Sequence, residues 1–252
     1  MIIRLCFFFT GIGGVVIELY QFAPAWGMNL SPFCLKVEIY CQLAGIPYEA
    51  RSTMPFKGPR GKLPYIIDQS RSVPDSGKII EYLKAMYGDR LDAQLSEEER
   101  AMGHLLRRVC EESLYFAIVY SRWLDDRYWP KVRQVFFGSL PMGARSLVSA
   151  IARHGIRKSL IGQGYGRYQQ EEVYEAGTAD LTAIACQLNQ RRYAAGTRLT
   201  SFDATLYAFL FNILHVPLET PLKKEAAKHP VIGGYLDRVH EVLDAGGVGH
   251  AA

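Results

Sequence analysis

A strand-like run, Ile17-Glu18-Leu19-Tyr20-Gln21-Phe22, is followed by Ser31-Pro32-Phe33-Cys34, and this pairing constrains the chain more than any other feature. Ser31 reads as a helix N-cap and Pro32 as the first helical residue, where a missing N–H costs nothing. Phe33, Val37, Tyr40 and Ala44 recur at helical spacing, and Gly45 ends the helix as a C′ glycine. A helix start of this kind presents unpaired backbone N–H groups and a partial positive charge, so it stabilises a bound anion. A thiolate is such an anion. Taken alone, Ser-Pro at a helix start is ordinary capping and selects no chemistry.

The elements that follow narrow the reading. Ile46-Pro47-Tyr48-Glu49-Ala50 is expected to be a second strand, and the loop Met54 to Lys62 is rich in Pro, Gly, Lys and Arg. Leu63-Pro64-Tyr65-Ile66-Ile67-Asp68 follows, and Val73-Pro74-Asp75-Ser76 introduces a helix over Gly77 to Tyr87 with Ile79, Ile80 and Leu83 on one face. Ser31-Pro32-Phe33-Cys34 after a strand resembles the active-site turn of glutaredoxins and glutathione transferases. The order strand-helix-strand, then strand-strand-helix, resembles the thioredoxin-like half of a glutathione transferase. Lys62-Leu63-Pro64 is similar to that family's segment with a cis proline, whose backbone pairs with the cysteinyl part of glutathione. Asp75-Ser76 is similar to its acidic residue and serine, which hold the γ-glutamyl end. The wording of residues 17–34, with Trp26-Gly27 between strand and helix, resembles the metaxin-like and failed-axon-connections branch and its bacterial relatives. The match is dense over residues 17–87 and looser to about residue 243.

The resemblance implies an α/β thioredoxin-like domain (βαβ-ββα) over residues 17–88, a linker over 89–95 and an all-helical domain over 96–246. The residues of the second half agree. Ser96-Glu97-Glu98-Glu99 forms a capping box, and the helix it opens runs through Leu105, Val109, Phe116 and Tyr120 towards Trp123. Helical segments are expected over residues 132–137, 144–160, 168–188, 202–214, 223–228 and 231–243, with no strand-period run among them. Thr200-Ser201-Phe202-Asp203 reads as a structural capping box. Gly162-Gln163-Gly164-Tyr165-Gly166 has no strand before it and breaks two helices rather than binding a dinucleotide.

Composition excludes several classes. The net charge of +4 is modest, and Arg107-Arg108, Arg191-Arg192 and Lys223-Lys224 lie scattered among acids, which reads as solvated helix faces rather than a nucleic-acid stripe. Five cysteines without a CxxC pair fit a reducing compartment, so a cytoplasmic location is expected. The six histidines show no metal-ligand spacing, and no metal site is expected. Residues 1–16, with the apolar run Leu5 to Phe9 broken by Thr10 and three glycines, read as an extension, disordered or upstream of a misassigned start; an export signal is the alternative, and a membrane span is not expected.

On the resemblance, glutathione is the co-substrate and its own sulfur the attacking group. Ser31 is the catalytic candidate, donating a hydrogen bond to the thiolate, and Lys62, Leu63, Pro64, Asp75 and Ser76 are the binding candidates. Trp26, Tyr120 and Trp123 are the aromatic candidates for the pocket of a small hydrophobic electrophile, although aromatic stripes at helical spacing are more often core. Cys34, one turn into the helix, is expected to be buried and inert. A homodimer is expected by analogy with the fold. The alternative is a transferase-fold interaction or scaffold protein of the metaxin-like type, without turnover.

Overall fold

The computed structural model describes residues 16–246. The reading of residues 1–16 as an extension therefore lies, apart from Val16, outside the described residues. Ile17–Gln21 (β1) alternates buried and half-buried side chains, as a strand with one covered face requires. It pairs in parallel with Tyr48–Ser52 (β2) and antiparallel with Tyr65–Asp68 (β3), which pairs in turn with Arg71–Pro74 (β4), giving the order β2-β1-β3-β4. β2 and β3 both start two residues later than the sequence suggests. Pro47 and Pro64 stand at the expected starts and lack the N–H that a ladder needs.

Pro32–Leu43 (α1) follows β1, and Ser76–Tyr87 (α2) follows β4. Tyr82 and Tyr87 of α2 both donate to Asp68 Oδ2 at 2.9 Å, fixing α2 to the end of β3. α1 is buried on nearly every side, because Ser201–Leu214 (α8, defined by an equally apolar sequence) lies across the face the sheet does not cover. A single buried cluster runs from Ile17 and Leu35 through Phe209 to Val239 and Leu243.

The second half is helical: Glu97–Val109 (α3), Tyr115–Trp123 (α4), Trp129–Phe137 (α5), Met142–Gln163 (α6), Gln170–Gln190 (α7), α8, Pro221–Ala227 (α9) and Pro230–Asp244 (α10). The sequence predicts one uninterrupted helix from Ser96 to Trp123. The structure instead widens it into a π turn over Cys110–Leu114. α3 and α8 cross where Gly103 meets the Phe202 ring, and a Cβ there would fall 2.1 Å from that ring. Gly164, at φ 122°, ends α6 before a short turn leads into α7.

The connector between the halves is not a free tether. Asp92 is buried and accepts from Ser201 N at 2.7 Å and from the Ser201 hydroxyl at the start of α8, while Lys84 Nζ of α2 donates to it at 2.7 Å. Among the described residues no single helix is long and apolar enough to cross a membrane.

Candidate functional site

Ser31 caps α1 with extended backbone (φ −89°, ψ 114°), and its Oγ accepts from Cys34 N at 3.4 Å. The preceding loop is a tight turn, with Trp26 and Gly27 both at positive φ and paired N–H···O bonds between Ala25 and Met28. Asn29 fixes how that loop enters the helix. Its Oδ1 accepts from Ser31 N at 3.0 Å, and its Nδ2 donates to Phe22 O at 3.1 Å. From the helical half, Arg122 Nη1 donates to Leu30 O at 2.6 Å, its Nη2 reaches Asn212 O and Oδ1, and Asn212 Nδ2 donates to Asn29 O. Burial pulls Arg122 down to about 10, and three acceptors hold its charge.

Cys34 is fully buried, and burial pushes its thiol up to about 12 despite hydrogen bonds from Ser31 and the Phe22 backbone. Its burial is as the sequence suggests. Its side chain packs with Leu63 and Tyr65, which brings the start of α1 against the Leu63-Pro64 segment. The Leu63–Pro64 peptide bond is cis. Pro64 O accepts from Asp75 N at 3.3 Å, so this segment touches the start of α2 as well. Asp75 is exposed, sits at φ 78°, and caps α2 by accepting from Gly77 N at 3.0 Å and Lys78 N at 3.4 Å. Positive φ is uncommon for a residue with a Cβ, and strain of ~1–3 kcal/mol persists only where the surroundings enforce it. Ser76 is buried, its N–H outside that cap, and Lys36 Nζ donates to its hydroxyl at 3.4 Å. Lys62 is exposed at the rim.

The structure thus gathers Ser31, Leu63, Pro64, Asp75 and Ser76 around the adjoining starts of α1 and α2. Of the aromatic candidates, Trp26 stands in the turn before Ser31, and the other two pack against further aromatics. Tyr120 packs edge-on against Tyr174, and Trp123 joins Trp129, Phe136 and Phe137. The α4 aromatic that meets the Ser31 motif is Tyr115, whose ring lies 4.8 Å from Phe33, with Phe209 behind both. Sequence reasoning missed Asn29, Lys36, Glu111, Arg122 and Asn212. The available signal was Lys36 and Glu38, the charged residues of an otherwise largely apolar helix.

The comparisons with known proteins agree with this architecture. Residues 32–128 match the model of the glutathione S-transferase N-terminal domain, and residues 177–239 that of the glutathione S-transferase C-terminal domain. The isoprene-epoxide–glutathione S-transferase of Rhodococcus sp. (strain AD45) is 34% identical over 237 residues, 91% of this chain and 100% of that protein. Failed axon connections of Drosophila melanogaster is 28% identical over 90% of this chain, which spans 57% of its length. Human metaxin-2 is 22% identical over 77% of this chain and 75% of its own. Among solved structures, the β-etherase LigF from Sphingobium sp. strain SYK-6 superposes with a TM-score of 0.66 at 16% identity, covering 91% of this chain and 99% of that one, a likeness of fold. A two-domain thioredoxin-like and helical protein of this kind is a transferase-fold protein. The chain belongs to the glutathione S-transferase family.

Proposed function

We propose that this protein binds glutathione in the cleft at the starts of α1 and α2 and conjugates it to a small hydrophobic electrophile. The observation that carries the reading is the stitching of three segments: Cys34 packs on Leu63, Pro64 O accepts from Asp75 N, and Ser76 accepts from Lys36 of α1. In this reading the glutathione sulfur lies at Ser31, its cysteinyl backbone along Leu63 and its γ-glutamyl group at Asp75 and Ser76.

Among the described residues no histidine or carboxylate is hydrogen-bonded to Ser31, so in this reading the nucleophile is the glutathione thiolate. Lowering a thiol pKa by about two units takes ~2.7 kcal/mol. A helix terminus supplies ~0.3–2 kcal/mol, and a hydrogen bond to a charged acceptor ~1.5–3 kcal/mol. Together these suffice. The Ser31 hydroxyl is within reach of Cys34 Sγ as well, but a charged thiolate is the stronger acceptor of the two. An epoxide is the electrophile class to test first, given the Rhodococcus relative. The thiolate would attack a ring carbon, the carbon–oxygen bond would open, and the alkoxide would take a proton from solvent. A homodimer and a cytoplasmic location belong to the same proposal.

The metaxin and Failed axon connections relatives favour a second reading, an interaction protein without turnover. Calorimetry with reduced glutathione on wild type, Asp75→Ala and Ser76→Ala, beside an epoxide turnover assay, separates the two. Binding that weakens in both variants, with turnover in the wild type, supports the transferase. Binding without turnover supports the interaction protein, and affinity unchanged in both variants overturns the assigned site.

A further inference from the structure

We propose that Lys36 is a positioning residue that aims the Ser76 hydroxyl at the γ-glutamyl carboxylate of glutathione, and that Glu111 of the helical half holds Lys36 in place. The proposal rests on the glutathione reading above and adds a part of the site supplied from across the domain boundary.

Lys36 is 1% exposed, in the middle of α1, with two partners: Glu111 Oε1 at 2.6 Å and Ser76 Oγ at 3.4 Å. An ammonium donates and never accepts, so in the second contact the serine oxygen is the acceptor. The serine proton is thereby turned away from Lys36. The Ser76 N–H is also spared by the Asp75 cap, which takes the N–H groups of Gly77 and Lys78. Two donors at the first residue of α2 are left for an anion, at a helix start that already favours negative charge.

A buried ammonium costs several kcal/mol unless it is paired. Burial pulls the Lys36 pKa down, Glu111 pulls it back up, and Arg107, one turn before Glu111, pushes it down again. Glu111 stands in the π turn that interrupts the α3–α4 helix, a local geometry seldom kept without a use. An apolar residue at position 36 would pack α1 at least as well. With Glu111 made apolar as well, what would be lost is the hydrogen bond to Ser76.

The test uses the pair Lys36→Met/Glu111→Met, which replaces both charges together so that neither is stranded and the fold survives. Affinity is measured for reduced glutathione and for cysteinylglycine, which lacks the γ-glutamyl group, in wild type, Ser76→Ala, the paired variant and the combination of all three. The paired variant should bind glutathione roughly tenfold more weakly, as Ser76→Ala does, and the combination should lose no more than either. Cysteinylglycine affinity should stay unchanged, and Lys36→Gln, which keeps a donor, should recover most of the glutathione affinity. Unchanged glutathione affinity in the paired variant overturns the proposal. So do losses that multiply in the combination, or equal losses for both thiols, which would mark a structural link only. A wild type that binds no glutathione overturns the transferase reading, and this inference falls with it; a wild type that binds while the paired variant is unaffected rejects Lys36 alone.

Discussion

Arg122 Nη1 donates to the carbonyl of Leu30 at 2.6 Å across 92 residues of sequence. The loop that presents Ser31 is therefore shaped by the helical half as well as by its own turn. Asn212 completes the clamp, taking Arg122 on one side and giving its amide to Asn29 on the other.

Removing the clamp should show in both stability and function. Arg122→Met leaves Leu30 O and the Asn212 amide oxygen buried without their donor, and each buried acceptor left unsatisfied costs roughly 1–3 kcal/mol. The expected result is a clearly lowered denaturation midpoint. In the protein that remains folded, turnover should fall more than glutathione affinity, because Ser31 is displaced while Asp75 and Ser76 are not. Denaturant melts and steady-state kinetics on the same preparation check both halves.

Ser31→Ala removes the hydroxyl and keeps the helix start. Turnover near neutral pH should fall roughly tenfold or more, since ~1.4 kcal/mol is a factor of ten. The ultraviolet absorbance of bound thiolate should titrate at higher pH, with affinity for glutathione little changed. If titration and turnover both match wild type, Ser31 is a cap and nothing else.

Glu38 gives the stability a pH dependence. Its carboxyl is buried, with Oε2 unpartnered, and burial pushes it up from 4.5 to about 7 against hydrogen bonds from Gln21 and Asn29. Between those values the folded state holds the proton more tightly than the unfolded chain. Stability therefore falls as pH rises through this window, by up to ~3 kcal/mol, and stays lowered above it. Glu38→Gln should flatten that decline and be the more stable protein at alkaline pH, its amide offering the donor that Gln21 Oε1 lacks. Denaturation midpoints for the two proteins that run parallel from acid to alkali would contradict this.

The cysteines among the described residues should divide sharply. Cys34, Cys41 and Cys110 are buried, their thiols pushed well above the ordinary range by burial, whereas Cys186 is exposed. Brief alkylation of the native protein should label Cys186 and spare the other three, and Cys34→Ala should keep close to wild-type turnover. Mass mapping of labelled peptides decides the first point. Labelling at Cys34 before Cys186 would make it the reactive thiol after all.

The two-part fold and most of its elements were legible because periodicity and caps are local: Ser31, Asp75, Ser96 and Thr200 each announce a helix start within four residues. The π turn at Cys110–Leu114 was not, since the helical spacing of Leu105, Val109, Phe116 and Tyr120 runs past it without a break. Nor were the supports of the site. Asn29, Arg122 and Asn212 meet only after the chain has folded, and so do Lys36 and Glu111, although a lysine in so apolar a helix was a readable signal. Tyr115 was passed over for Tyr120 and Trp123 because spacing says which residues share a helix face, not which face meets Phe33.

Asp92 carries a lesson for anyone who would recombine this protein. A connector between two halves is the natural place to cut, yet here it supplies the carboxylate that closes the start of α8 and anchors Lys84 of α2. A chimaera joined anywhere in residues 89–95 inherits one end of that three-way contact from each parent. Lys84, Asp92 and Ser201 form a compatibility set, and a crossover that separates them leaves a buried charge facing the wrong neighbour. The seam between the halves is chemical, and it does not coincide with the gap in the secondary structure.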